Sequence, residues 1–399
     1  MPKNSERFAW TVLLIAFTAF CALVVGVPTA IGAYVSGAME DRTASLEILN
    51  GTVLLAPAGA KLEVNAAGVA EPNNAITLAP GDAFRTVENS RAVVWLFDGS
   101  NLLLWPDTRI VLDSVRATKF NSNRATIWLS QQSGHIRFEV APPTTIKTRV
   151  IEVRTPEAVL ALREGSYSAT RTPGKTELVT HRGWATVVTA QNAVDVLQKE
   201  RTEILTGQPA REPVPSARDL IKNGNFASGL DGWTAANRGE EEPVLGSTQL
   251  VVQDGRDVVV FSRTGAVKHC ETYLYQPLDV DITDFDSVKL RLDLKLINQS
   301  LSGGGVLGSE YPLLIRLNYR DVYNNENTFV KGFYYQNKDG NPTHNGEQVR
   351  QGEWQTFEID LLDPTGNVQP KPAYLTWLEI AASGHNYESE VTNVRLIAE

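Results

Sequence analysis

The chain has 399 residues, 42% hydrophobic and 21% charged, enough for more than one buried core and too apolar for a disordered tail. A net charge of −9 repels phosphate backbones and excludes a nucleic-acid partner. Cys21 lies in an apolar run far from Cys270, so no disulfide framework is expected. Bulky Phe20 directly before Cys21 argues against lipid attachment. The histidines are scattered without HxxxH or CxxC spacing and give no metal signal.

Residues 8–35 (FAWTVLLIAFTAFCALVVGVPTAIGAYV) contain no charge, and about twenty such residues cross a bilayer. Trp10 and Tyr34 suit the two interfaces. Lys3 and Arg7 precede the run and Glu40 and Asp41 follow it. The positive-inside rule then puts residues 1–7 in the cytoplasm and the bulk of the chain outside. A cleaved signal peptide, with 36–38 (SGA) as its site, is the rival. Signal cores usually span ~7–15 residues, so a retained single-pass transmembrane helix is the favoured expectation.

From 44 to 208 short apolar runs alternate with turn signals, the pattern of an all-β domain. Such runs are 51–55 (GTVLL), 92–97 (AVVWLF), 101–105 (NLLLW), 109–112 (RIVL), 125–129 (ATIWL) and 159–163 (VLALR). Asp98-Gly99-Ser100 marks a hairpin. Both faces of 92–97 and 101–105 are apolar, which predicts strands covered on both sides. Gly51, Gly134 and Gly183 each stand at the start of an alternating strand, a weak repeat suited to a layered β-roll.

Several separated motifs resemble the FecR-like domain. They are 81–86 (GDAFRT), 90–100 (SRAVVWLFDGS), 106–112 (PDTRIVL), 154–169 (RTPEAVLALREGSYSA), 182–188 (RGWATVV) and Gly207-Gln208. The resemblance covers about 46–208 and implies a bacterial extracytoplasmic β domain. Family namesakes relay signals through a cytoplasmic anti-sigma segment. Only residues 1–7 precede the helix here, so that relay role is not expected. The stretch 209–219, with PAREPVP at 209–215, reads as a proline-rich linker.

From 220 to 399 a second all-β module is expected. Asn223-Gly-Asn-Phe226 and Gly229-Leu-Asp-Gly-Trp233 resemble the opening of galactose-binding-like jelly rolls, common among carbohydrate-binding modules. Physically, Phe226 and Trp233 are apolar anchors flanking a turn-rich crossing. In 288–296 (VKLRLDLKL) the leucines 290, 292 and 294 alternate with charged residues. In 313–320 Ile315, Leu317 and Tyr319 alternate with Arg316, Asn318 and Arg320. Later strands are expected at 329–336, 353–361 and 391–397.

Trp233 and Trp354 read as core anchors more readily than as sugar platforms. The outward set Arg291, Asp293, Arg316, Asn318, Lys331 and Tyr335 would line one ligand-binding sheet face if its strands are neighbours, though a solvated face is the plainer reading. Tyr273, Tyr275, Tyr334 and Trp377 are further candidates. The Gly303–Gly305 run in the 298–309 loop could fold over a ligand.

The jelly-roll resemblance implies a structural Ca²⁺, but Ala227 and Asn393 stand where carboxylates are usual. No cofactor is therefore expected; Asn225, Asp254 or Asp257 could still serve calcium. No GxSxG or HExxH motif occurs, and no catalytic residue is assigned. The expected protein is a non-catalytic extracytoplasmic binding protein on the cell membrane. Its partner would be a glycan or an envelope protein. The rivals are an envelope scaffold and a cryptic glycoside-active enzyme.

Overall fold

The computed structural model describes residues 3–60, 75–120, 124–143, 146, 148–239, 244–366 and 368–399. The side chains of Lys3 and Arg7 lie outside that description. The first element is a helix, Lys3–Gly37, of which Phe8–Gly37 is apolar and long enough to cross a membrane. Its side chains from Phe8 to Gly37 are all exposed, and Tyr34 sets its ring 6.0 Å from that of Phe120. The Thr18 and Thr29 hydroxyls donate back to the carbonyls of Leu14 (2.6 Å) and Val25 (2.8 Å). That turn-back removes unpaired donors from an apolar rod.

The chain forms two compact units, Met1–Ser216 and Ala217–Glu399. The described strands of the first unit join in one 15-stranded sheet. Strands far apart in the sheet order share a single core, from Leu46 and Val94 to Leu178 and Ile204, so the sheet folds back on itself. The expected runs all fall on strands, among them Arg91–Trp95, Asn101–Leu104, Arg109–Thr118 and Val159–Thr172. Arg91–Trp95 pairs antiparallel with Asn101–Leu104 around Gly99, which has φ 86°. That hairpin is not covered on both sides, because Trp95 is 47% exposed and its indole N–H donates to Glu47. Gly134 and Gly183 lie inside the long strands Arg124–Val140 and Lys175–Val188, not at their starts.

The strands Val159–Thr172 and Lys175–Val188 show why glycine is needed there. Gly165 (φ 153°) faces Gly183 (φ 82°) at a shift in register. A Cβ on Gly165 would lie 2.2 Å from the Arg182 carbonyl oxygen, and one on Gly183 2.2 Å from that of Glu164. The buried Tyr167 closes the same spot, its hydroxyl donating to the Trp184 carbonyl at 2.8 Å. Nearby, Glu157 accepts from Thr176 (2.9 Å), Thr206 (3.1 Å) and Arg171 (3.3 Å). Burial alone would raise its carboxyl, but these partners hold it below the usual range. Gly165→Ala should destabilise the first unit by roughly 2–3 kcal/mol, read as a drop of several degrees in its melting temperature.

In the second unit two six-stranded sheets enclose one apolar core, a sandwich-like arrangement. One sheet orders Ser247–Gln253, Arg256–Arg263, Tyr387–Ala398, Val288–Gln299 and Gln355–Asp360. The other orders Thr234–Arg238, Cys270–Asp281, Pro372–Gly384, Leu313–Asp321, Glu326–Tyr334 and Gly346–Gln348. Leu290, Leu292 and Leu294 face inward, as their alternation requires. Phe226 and Trp233 are buried with ring centroids 5.7 Å apart, and the Trp233 indole donates to the Asn223 carbonyl at 3.3 Å.

Two expectations need correction. Trp354 is not a core anchor; it is half-buried on an outer face, with the Arg256 guanidinium 4.7 Å from its ring. The 209–219 stretch is not a free spacer. Val214–Pro215 adds to the edge of the first sheet, and Arg218–Asp219 pairs with Tyr387–Ala398. Proline is tolerated there because an edge strand needs ladder bonds on one side only.

Tyr387 ties the two sheets together through a 2.6 Å hydroxyl contact with Thr272. Burial pushes its phenol up to about 12. An unfolded tyrosine ionises near pH 10, so this stabilisation is complete below pH 10 and is lost as pH rises toward 12. Alkaline unfolding should show a fall of about 2–3 kcal/mol across that window. Tyr387→Phe should flatten part of it, the rest coming from Tyr167, Tyr311 and Tyr319, which burial also raises.

Candidate functional site

The outer face of the second sheet carries a connected polar network. In Cys270–Asp281, Leu274 and Gln276 turn inward, so Glu271, Tyr273 and Tyr275 turn outward. In Pro372–Gly384, Leu378 and Ile380 turn inward and Trp377, Glu379 and Ala381 outward. In Leu313–Asp321, Leu314, Arg316 and Asn318 turn outward. Register aligns these into cross-strand rows. One row is Tyr275, Glu379, Arg316 and Val330; the next is Trp377, Asn318 and Thr328.

Two carboxylates on this face are nearly out of water, Glu271 at 5% exposure and Glu379 at 2%. Arg316 bridges them, donating to Glu271 at 2.6 and 2.8 Å and to Glu379 at 2.7 Å. Arg238 closes the network, 3.1 Å from Glu271 and also bonded to Glu379. Two cations and two anions balance, which is what allows charges to be held out of water. The Arg238 guanidinium also lies 4.0 Å from the centre of the Tyr273 ring. Tyr275 and Trp377 sit 5.8 Å apart, both half-buried.

One end of the face is walled by the loop before Leu313–Asp321. Tyr311 is 1% exposed and packs on Leu314 and Ala381. Its hydroxyl donates to the carbonyl of His344 at 2.7 Å. Gly332 makes room for it, since a Cβ there would lie 2.2 Å from the Tyr311 ring. Gln299 pins the loop by donating to the carbonyls of Leu301 (2.8 Å) and Gly303 (2.9 Å). The result is an aromatic and guanidinium surface whose polar groups are fixed before any ligand arrives. Both acids are engaged by arginines.

The six residues expected on one face divide among three places. Arg316 and Asn318 lie on this face, and Asn318 donates to Thr328 at 3.1 Å. Arg291 and Asp293 lie on the other sheet, because Val288–Gln299 and Leu313–Asp321 belong to different sheets. There Arg291 is 3.9 Å from Glu358, and Asp293 accepts from Thr356 (2.7 Å) and Asn393 (2.8 Å). Lys331 reaches between the sheets, 2.9 Å from Glu347. Tyr335 packs against the core, and its hydroxyl accepts from the Gln299 amide at 3.1 Å. Tyr273, Tyr275, Tyr334 and Trp377 were legible individually; Arg238, Glu271 and Glu379 were missed. The signal for the acids is a lone Glu inside apolar runs, as in 377–381 (WLEIA).

Among the described residues no group of three or more His, Cys, Asp or Glu is placed to hold a metal. Asn225, named for calcium, accepts from the Ala227 amide at 3.4 Å. Arg316→Ala would leave two buried carboxylates sharing Arg238 alone and should cost roughly 3–5 kcal/mol in denaturant unfolding. Arg316→Met combined with Glu271→Gln and Glu379→Gln should recover much of that loss.

No curated protein matches the chain. Solved structures resemble parts of it at low identity. A candidate anti-sigma factor from Parabacteroides distasonis aligns at 15% identity and TM-score 0.28, covering 37% of this chain and 71% of that one. A family 11 carbohydrate-binding module of the cellulase Lic26A-Cel5E of Clostridium thermocellum aligns at 15% identity and TM-score 0.28, covering 46% and 95%. The enzymatically active domain of a bacteriophage CBA120 tailspike protein aligns at 13% identity and TM-score 0.29, covering 45% and 21%. Likeness at these scores carries no functional argument. The family comparison is specific to one region: residues 82–186 match the family described as FecR protein.

Proposed function

We propose that the chain is a membrane-anchored extracytoplasmic protein that binds a glycan, without catalysis, on the outer sheet face of its C-terminal unit. The observation that carries this reading is the fixed surface around Arg316. Half-buried Tyr273, Tyr275 and Trp377 flank a guanidinium–carboxylate network that cannot rearrange cheaply. A pyranose offers an apolar face to an aromatic ring and hydroxyls to planar donors. The helix Phe8–Gly37 supplies the anchor, and the FecR match over 82–186 is in keeping with an envelope setting.

A second reading, an envelope scaffold binding other proteins, draws on Val306 and Leu307, which are 80% and 79% exposed at the loop tip. Binding of the detergent-solubilised chain to a glycan panel separates the two. Trp377→Ala should weaken glycan binding roughly tenfold or more, while Arg291→Ala on the other sheet should not. No binding to any glycan, with a protein crosslinked through Val306 or Leu307 in cells, would favour the scaffold. A C-terminal reporter should be cut by protease added outside cells with a permeabilised outer envelope; a protected reporter would reverse the orientation.

A further inference from the structure

On one side of the C-terminal unit, one sheet ends in Gln355–Asp360 and the other in Glu326–Tyr334 with the short Gly346–Gln348 beside part of it. Between them opens a cleft of about 360 Å³, within the size range of small-ligand sites. Its apolar floor is Phe329, Phe357 and Ile359, and its rim is Lys331, Asn345 and Gln369. Lys331 belongs to the inner side of its sheet, opposite the buried Ile315. Its ammonium lies 5.8 Å from the Phe357 ring of the facing sheet and 2.9 Å from the Glu347 carboxylate.

The backbone adds further polar groups. Gly346–Gln348 pairs only with residues 332–334, so among the described residues no strand covers the outer edge of 326–331. The Gly332 amide donates across that edge to Asn345 at 3.0 Å. By alternation, the backbone groups of Val330 and Thr328 point the same way, toward the open edge.

An open edge invites an added peptide strand, but an inward-pointing charge on an edge strand is a device that discourages it. Lys331 is such a charge. The cleft instead combines an apolar floor with a neutral rim: one cation paired with one anion, two side-chain amides and edge-directed backbone groups. That set donates to and accepts from hydroxyls while offering no net charge to an ion. We infer that this cleft, adjoining the Arg316 face at Thr328 and Val330, is a second sugar site taking one neutral pyranose unit. The inference rests on the glycan-binding reading and adds a subsite and its ligand class to it.

The test uses the full chain in detergent micelles and the methyl glycosides of glucose, galactose, mannose and xylose, read by saturation-transfer difference. Lys331→Ala leaves Glu347 half-exposed, so it strands no buried charge; Gln369→Ala changes an exposed side chain. Both should lower the monosaccharide signal at least fivefold, and Arg291→Ala, on the outer face of the other sheet, should leave it unchanged. A signal lost in Trp377→Ala and kept in Lys331→Ala would overturn the cleft site while leaving the face. So would oligosaccharide binding by the wild type with no monosaccharide signal. Loss of both kinds of binding in the wild type would overturn the cleft and the glycan reading together. Protection of the 326–331 amides by an added extended peptide, and not by sugar, would also overturn it.

Discussion

Glu271 and Glu379 have been taken out of water on what would otherwise be an ordinary outer sheet face. Ions of that kind persist only with partners of opposite sign at close range. Arg316 must therefore stay where it is, and Arg238 must close over it, carrying its plane onto Tyr273. The loop bearing Tyr311 walls the end of the same face, so the surface is stiff on two sides. A face built this way holds one arrangement of donors and rings, which lowers the ordering cost of recognising a ligand.

Much of the fold was legible because a strand advertises its inner face with a period of two. The leucines of 288–296 and the Ile315–Leu317–Tyr319 series are buried as that period requires. Asp98-Gly99 placed a hairpin because few other pairs accept its backbone. The site was less legible. Alternation tells which side of a strand faces out, but not which of two sheets the strand joins. Arg291 and Arg316 looked equivalent in sequence, yet the chain changes sheets between them. Glu271 and Glu379 were overlooked because an outward acid in a strand usually points to solvent. The 209–215 prolines misled for a related reason. Proline forbids central strands and permits edges, so the same residues suit a spacer or a rim.

Glu157 in the first unit and the Arg316 network in the second hide polar groups by different means. In the first, Glu157 is a single acid satisfied by one arginine and two hydroxyls drawn from separate strands. Around Arg316, two acids are paired with two bases. The first arrangement ties strands of one sheet to each other; the second furnishes a surface.

The helix ends at Gly37 and the first strand, Met39–Asp41, begins after a single residue. Ala38 is itself held at both sides, its amide by Tyr34 and its carbonyl by Lys119. With the helix in a bilayer, there is no slack cord between lipid and protein. The strand beside Met39–Asp41, Arg109–Thr118, would then ride close to the headgroups.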